Sequence, residues 1–347
     1  MMRAVRVDRF GGPEVLTVVD VPEPAVTDGG LLVAVRAAGV NFADTSRIAG
    51  TYRPTPELPF IPGTEVVGRT ADGRRVLATL FGGGASDGGG PEGSGSEASG
   101  SEDSRSGGSR SEGGGFAEWA VVDPRSTVEV PAAVPDAEAL ALLVQGLTAW
   151  HILRSCARIG PGETVVVNAA AGGVGSLAVQ LARHFGARRV IAVASTPAKR
   201  ALAASLGAHA AVAAEPDGYA ERVLAANDGR PVDIVLDSVG GPTFTAALDT
   251  LADFGRLVTF GNASRAGRPP VDAGRLADRN HAVAGFWLRP ALAVPGAFRE
   301  PLSAMFDLVA AGTLRPQTGA AYPLAQVRPA FEDLLARRTT GKITLRL

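Results

Sequence analysis

Two regimes of hydrophobic patterning divide the chain. Over residues 3–80 short apolar stretches alternate with Gly/Pro turns, predicting strands at 4–7, 16–19, 32–38, 65–70 and 75–79, with the pattern resuming at 116–122. Strands this short and this often interrupted by turns predict a mostly antiparallel barrel or sandwich. From about residue 164 the pattern changes. Continuous apolar runs at 164–168, 190–194, 232–237 and 257–260 alternate with helical stretches, which predicts a parallel sheet buried on both faces. After residue 287 the spacing becomes helical, and 342–347 ends as a strand returning to the first unit. The expectation is an α/β chain with a mostly β unit over 1–126. A Rossmann-type doubly wound parallel sheet follows over 127–287, and the chain returns to the first unit over 288–347.

Residues 82–115 fit neither regime. These 34 residues hold 14 Gly, nine Ser and six acidic side chains, and nothing apolar beyond two alanines. Such a segment cannot offset its chain entropy by burial and is expected to be a disordered insertion. Loop closure grows costlier only slowly with length, so the surrounding strands tolerate it.

Composition then removes several function classes. The 34 basic residues nearly balance the 35 acidic ones, for a net charge of −1, which excludes a general nucleic-acid binder but not a local basic pocket. A single cysteine, Cys156, excludes a disulfide framework and a multi-cysteine zinc site. No uninterrupted apolar run reaches the roughly 18 residues of a membrane span. The N-terminus alternates like a strand, unlike a secretory signal, so a soluble cytoplasmic protein is expected. Only two of the basic residues are lysines, Lys199 and Lys342.

The most informative motif follows the apolar run at 164–168: Asn168-Ala169-Ala170-Ala171-Gly172-Gly173-Val174-Gly175, then a helical pattern with Ala178, Leu181, Ala182 and Phe185 on one face. Aligned to the G-x-G-x-x-G fingerprint, Ala170 takes the tight turn, Gly172 admits a pyrophosphate and Gly175 allows close helix–strand packing. The helix N-terminus supplies amide donors and a positive dipole. A site for NAD places a carboxylate about 20 residues on. Here the second strand ends in Ser195-Thr196-Pro197-Ala198-Lys199, with hydroxyl and cationic groups and no carboxylate to repel a 2′-phosphate. NADPH is the expected cofactor. The four histidines are widely separated and predict no metal cluster, and Asp237 reads as a loop-stabilising carboxylate ahead of a base.

These motifs together resemble the quinone oxidoreductase branch of the medium-chain dehydrogenase/reductase superfamily. The likeness is carried by the glycine loop, Ala38-Gly39-Val40-Asn41-Phe42-Ala43-Asp44, Pro62-Gly63-Thr64-Glu65 and Gln145-Gly146-Leu147-Thr148-Ala149. Asp237-Ser238-Val239-Gly240 and the ending Arg337-Arg338-Thr339-Thr340-Gly341-Lys342 add to it. The resemblance implies a GroES-like catalytic domain, a Rossmann domain, an active site between them and a homodimer. It implies cofactor contacts at Asn41, Tyr52, Gly172, Gly173, Val174, Gly175, Lys199, Tyr219, Gly261, Asn262 and Arg337. Lys199, Tyr219 and Arg337 would surround the 2′-phosphate, and the backbone around Phe286 would meet the nicotinamide carboxamide.

The same comparison excludes a zinc alcohol dehydrogenase, because Asn41 stands in the segment that would supply a thiolate and Thr64 replaces the histidine of a Gly-His-Glu motif. Without a Lewis acid the acceptor must already be electron-poor, which points to a quinone or an α,β-unsaturated carbonyl compound. Tyr52 and the Asn41 amide are the candidate donors to the oxygen where negative charge builds. One departure, Ser46-Arg47 where several quinone reductases carry a tyrosine, leaves the acceptor pocket open. A dedicated enoyl reductase of a polyketide-like pathway remains an alternative, and a non-enzymatic NADPH- or RNA-binding role a remoter one.

Overall fold

The computed structural model describes residues 1–26, 29–81 and 113–347. An antiparallel pair, β1 (Met2–Val7) and β2 (Leu16–Val21), opens the chain. Next come β3 (Leu31–Val40), β4 (Glu65–Thr70), β5 (Arg75–Thr79), β6 (Trp119–Val122) and β7 (Thr127–Glu129). Strand β3 lies at the centre, pairing with β4 and β6, while β5 joins β4 to β7. The second unit supplies β8 (Thr164–Asn168), β9 (Arg189–Val193), β10 (Ala210–Val212), β11 (Val232–Asp237), β12 (Leu251–Thr259) and β13 (Ala282–Gly285). Finally β14 (Thr318–Pro323) and β15 (Lys342–Arg346) complete a seven-stranded sheet, β15 pairing with β3.

The second sheet runs β10-β9-β8-β11-β12-β13, every pair parallel. Within the unit this is the order 3-2-1-4-5-6 of a doubly wound dinucleotide fold, whose crevice opens at the carboxyl ends of β8 and β11. Strand β8 shows why its sequence is continuously apolar. Val165 and Val167 pack with Leu177 and Leu181 on one face, and Val166 packs with Phe244 on the other. Between the units runs the helical stretch Asp136–Cys156, with π-helical turns at Leu142–Gly146 and Ile152–Cys156. Among the described residues it alone is long and apolar enough to cross a membrane, and 67% of its apolar window is buried in the protein's own core.

The structure moves several boundaries. Thr127–Glu129 belongs to the first sheet, beyond the limit expected at 126. Helix Arg299–Ala310 buries Leu302, Met305 and Phe306 in the core shared with β8 and helix Gly173–His184. The chain therefore rejoins the first sheet at Thr318, not at 288. Strands β10, β13 and β14 escape the apolar pattern because they are short and rich in alanine. Most of the 82–115 segment lies outside the described residues. Gly113, Gly114 and Gly115, expected to be disordered, donate backbone hydrogen bonds to Leu80, Ile61 and Gly63.

Helix Gly173–His184 approaches β8 so closely that a Cβ at Gly175 would collide with the Ala169 carbonyl and lie 2.8 Å from Ala170 Cα. Backbone cannot yield as a flexible side chain can, so Gly175→Ala is expected to lower unfolding free energy by about 1–3 kcal/mol, read by urea denaturation.

Candidate active site

The carboxyl ends of β8 and β11 face helix Phe42–Ile48 across a cleft of about 1620 Å³, above the roughly 300–1,000 Å³ of ordinary ligand pockets. Its floor is the glycine loop. Gly172 is the N-cap of helix Gly173–His184, and Gly172, Gly173, Val174 and Gly175 all line the cleft. Gly173 packs against the Gln145 carboxamide, which a Cβ there would displace. The left-handed turn falls on Ala169 (φ +52°), one residue before the expected position. Ala170 is accordingly turned inward: it is fully buried, its N–H donates to the Val193 carbonyl, and Ala169 and Ala171 line the cleft in its place.

Ser195, Lys199 and Arg337 all line the cleft. Lys199 Nζ donates to the Arg337 carbonyl at 2.7 Å, and Arg337 Nη2 donates to the Ala263 carbonyl at 3.2 Å. Burial and the Arg337 charge hold the Lys199 ammonium below the ordinary lysine range. Tyr219 is not with them. It is 1% exposed, in the core beneath the sheet, and its hydroxyl donates to Asn168 Oδ1 at 2.8 Å. It opens helix Tyr219–Ala225 on the face packed against β9 and β11, so Ala214 and Pro216 line the cleft where Tyr219 was expected. Asn168 Nδ2 in turn donates to Asp237 Oδ1, and Asp237 accepts the Val239 and Gly240 N–H groups. This buried chain fixes the ends of β8 and β11 under the cleft, and burial raises the Asp237 pKa.

Gly261 and Asn262 form the far wall. A Cβ at Gly261 would lie 2.7 Å from the Ser238 carbonyl. Phe286 stacks on His151 at 6.0 Å and 24°, while its N–H donates to Thr259. Tyr52 crosses from the first unit to meet Trp287, whose Nε1 donates to the Tyr52 hydroxyl at 2.8 Å. The Arg47 guanidinium lies 5.4 Å over the Tyr52 ring.

Six cationic side chains line the cleft, Arg47, Arg53, Lys199, Arg265, Arg268 and Arg337, and no carboxylate does so among the described residues. Residues 27–132 match the family model for the alcohol dehydrogenase GroES-like domain, and residues 173–308 that for zinc-binding dehydrogenase. A quinone oxidoreductase of Pseudomonas aeruginosa is 32% identical, covering 99% of each chain. The chain belongs to the quinone oxidoreductase branch of the medium-chain dehydrogenase/reductase superfamily. The quinone oxidoreductase of Thermus thermophilus, solved also as its complex with NADPH, matches with a TM-score of 0.82, 36% identity and full coverage of both chains. Prostaglandin reductase-3 of Bos taurus is 33% identical over 94% of this chain and 84% of its own.

In this family member Asn41 is held by groups whose roles the sequence did not disclose. Asn41 Nδ2 donates to Glu65 Oε1 at 2.7 Å, and Asn41 Oδ1 accepts from Lys342 Nζ at 2.9 Å. Lys342 and Glu65 form an ion pair with neither side chain exposed. The second Glu65 oxygen accepts the Val144 N–H at 3.1 Å, in the π-helical turn. Beside them Asp44 accepts the Asn41 N–H, and burial raises its carboxyl pKa to about 6. One signal was available: Lys342 is one of two lysines in an arginine-rich chain.

Removing one partner of a buried pair strands the other charge. Lys342→Met is expected to cost about 3–5 kcal/mol, and adding Glu65→Gln to recover part of that loss, measured as a double-mutant cycle in urea.

Proposed function

We propose that this chain transfers hydride from NADPH to a quinone or an α,β-unsaturated carbonyl compound without a metal. The observation that carries the reading is the cleft lining, where a glycine-rich helix N-terminus meets the Lys199–Arg337 pair and no carboxylate is present among the described residues. Such a lining suits a dinucleotide bearing a 2′-phosphate. The NADPH-bound quinone oxidoreductase of Thermus thermophilus supports the cofactor, and the prostaglandin reductase relative supports an enone acceptor.

Zinc does not fit the residues present. Asn41, Thr64 and Glu65 occupy the place in question, and the one carboxylate among them is already neutralised by the Lys342 ammonium. The described residues hold no group of three or more His, Cys, Asp or Glu able to ligate a metal.

Bound NADPH supplies a hydride at its nicotinamide C4. The chain's own part is to place donor and acceptor in contact, exclude water and receive charge on the acceptor oxygen. Phe286, stacked on His151, lines the cleft, and its backbone would meet the nicotinamide carboxamide. Asn41 adopts a fixed orientation, because Lys342 demands its oxygen and Glu65 its nitrogen. Tyr52 accepts from Trp287, which directs its own proton away from the indole and strengthens it as a donor. Supporting a homodimer, strand β13 leaves one sheet edge open among the described residues. The net charge of −1 and the buried position of the one long apolar helix among the described residues support a cytoplasmic enzyme acting on a small molecule, without membrane or nucleic acid as partner.

Initial rates with NADPH and NADH against a simple quinone, an aliphatic enone and an enoyl thioester test the reading. Turnover of the quinone or enone with NADPH preferred supports it; activity confined to the thioester transfers the chain to dedicated enoyl reduction, and absence of any turnover contradicts enzymatic function. Lys199→Ala is expected to weaken NADPH about 10- to 100-fold while NADH changes little. Because Lys199 must stay protonated to hold a dianion and its pKa is lowered, NADPH affinity should fall as pH rises, beginning below the range of an ordinary lysine, while NADH affinity stays flat. A binding titration against pH reads both. Tyr52→Phe is expected to slow the chemical step roughly 100-fold with NADPH affinity retained; a wild-type single-turnover rate would leave Tyr52 a packing residue.

A further inference from the structure

Arg265 sits in the 261–267 loop with a left-handed backbone, φ +58°, a conformation a residue with a Cβ adopts only at a cost. From there its guanidinium crosses to the other unit. Nη2 donates to Thr45 Oγ1 at 3.3 Å, and the guanidinium carbon stands 5.8 Å from the centre of the Phe42 ring. Both partners belong to helix Phe42–Ile48. Neither is a carboxylate, so these contacts leave the charge of Arg265 uncompensated.

Two residues earlier the same loop receives Arg337 at the Ala263 carbonyl, and Arg337 receives Lys199. Three cations therefore run along one side of the cleft, from the end of β9 to helix Phe42–Ile48. In the NADPH reading above, the 2′-phosphate falls to Lys199 and Arg337. A pyrophosphate would sit at the Gly172–Val174 turn, which lines the same cleft as Arg265.

We propose that Arg265 clamps the diphosphate bridge of the dinucleotide and, by reaching Thr45, holds the two units together over it. The proposal rests on the NADPH reading above but concerns the part of the cofactor that NADPH and NADH share. It also accounts for an arginine at a position where glycine would relax the backbone.

Fluorescence titration of the full-length protein with NADPH, NADH and adenosine 2′-monophosphate, in wild type, R265G and R265K, tests the clamp. R265G is expected to raise the Kd of NADPH and of NADH by the same factor, about 10- to 100-fold. Adenosine 2′-monophosphate, which lacks the diphosphate, should bind as before, which separates loss of the clamp from a general loss of the fold. R265K should recover part of the affinity. Unchanged Kd values, a loss confined to NADPH, or an equal loss of adenosine 2′-monophosphate binding would overturn the clamp. Wild-type protein that binds neither dinucleotide would overturn the cofactor reading itself, and the clamp with it.

Discussion

The buried carboxylate of Glu65 holds the Asn41 end of the cleft together. Glu65, on β4, takes the ammonium of Lys342 from β15, the side-chain amide of Asn41 at the end of β3, and the backbone N–H of Val144 from the helical stretch beside the second unit. Two charges removed from water are tolerated only when each is well compensated. Here the remaining partners of Lys342 are the Val40 carbonyl and the Asn41 oxygen. The π-helical turn has a related logic: it presents the Val144 N–H to Glu65, across the junction between the units. Even Gly39 follows from the pair, because a Cβ there would collide with the Glu65 carboxylate. The register of the final strand, the orientation of Asn41 and the approach of the second unit are thus one constraint.

The opposite end of the cleft works by the reverse principle. Lys199 and Arg337 meet backbone carbonyls in place of carboxylates. Cations so arranged are poised for an anion, and their mutual repulsion is relieved when one binds. Compensated charge fixes the geometry around Asn41, and at the Lys199–Arg337 end the cations meet carbonyls in place of carboxylates.

Much of this was legible in the residues. The alternation of short strands and long apolar runs separates the two sheets, and β8 is apolar throughout because both its faces are covered. The glycine loop, Lys199, Arg337, Asn262 and Phe286 all reach the cleft. Where the sequence misled, the cause is physical. Tyr219 reads as a polar contact, yet its ring fills a helix–sheet interface and only its hydroxyl needs a partner, which Asn168 provides. Ala170 and Ala169 are the same residue type, and backbone conformation alone decides which faces the ligand. The segment after 288 is helical, as its spacing predicts, but that spacing does not say which sheet the helix covers. The Glu65–Lys342 pair joins residues 277 positions apart, beyond the reach of any local pattern.

Single-turnover oxidation of NADPH deuterated at C4 on one face or the other, with excess quinone, tests the central claim most directly. If the cleft holds the nicotinamide in one orientation and passes its hydride to the acceptor, one isotopomer will show a primary isotope effect and the other will not. Equal rates for both isotopomers and unlabelled NADPH would contradict hydride transfer from a fixed face as the step this cleft performs.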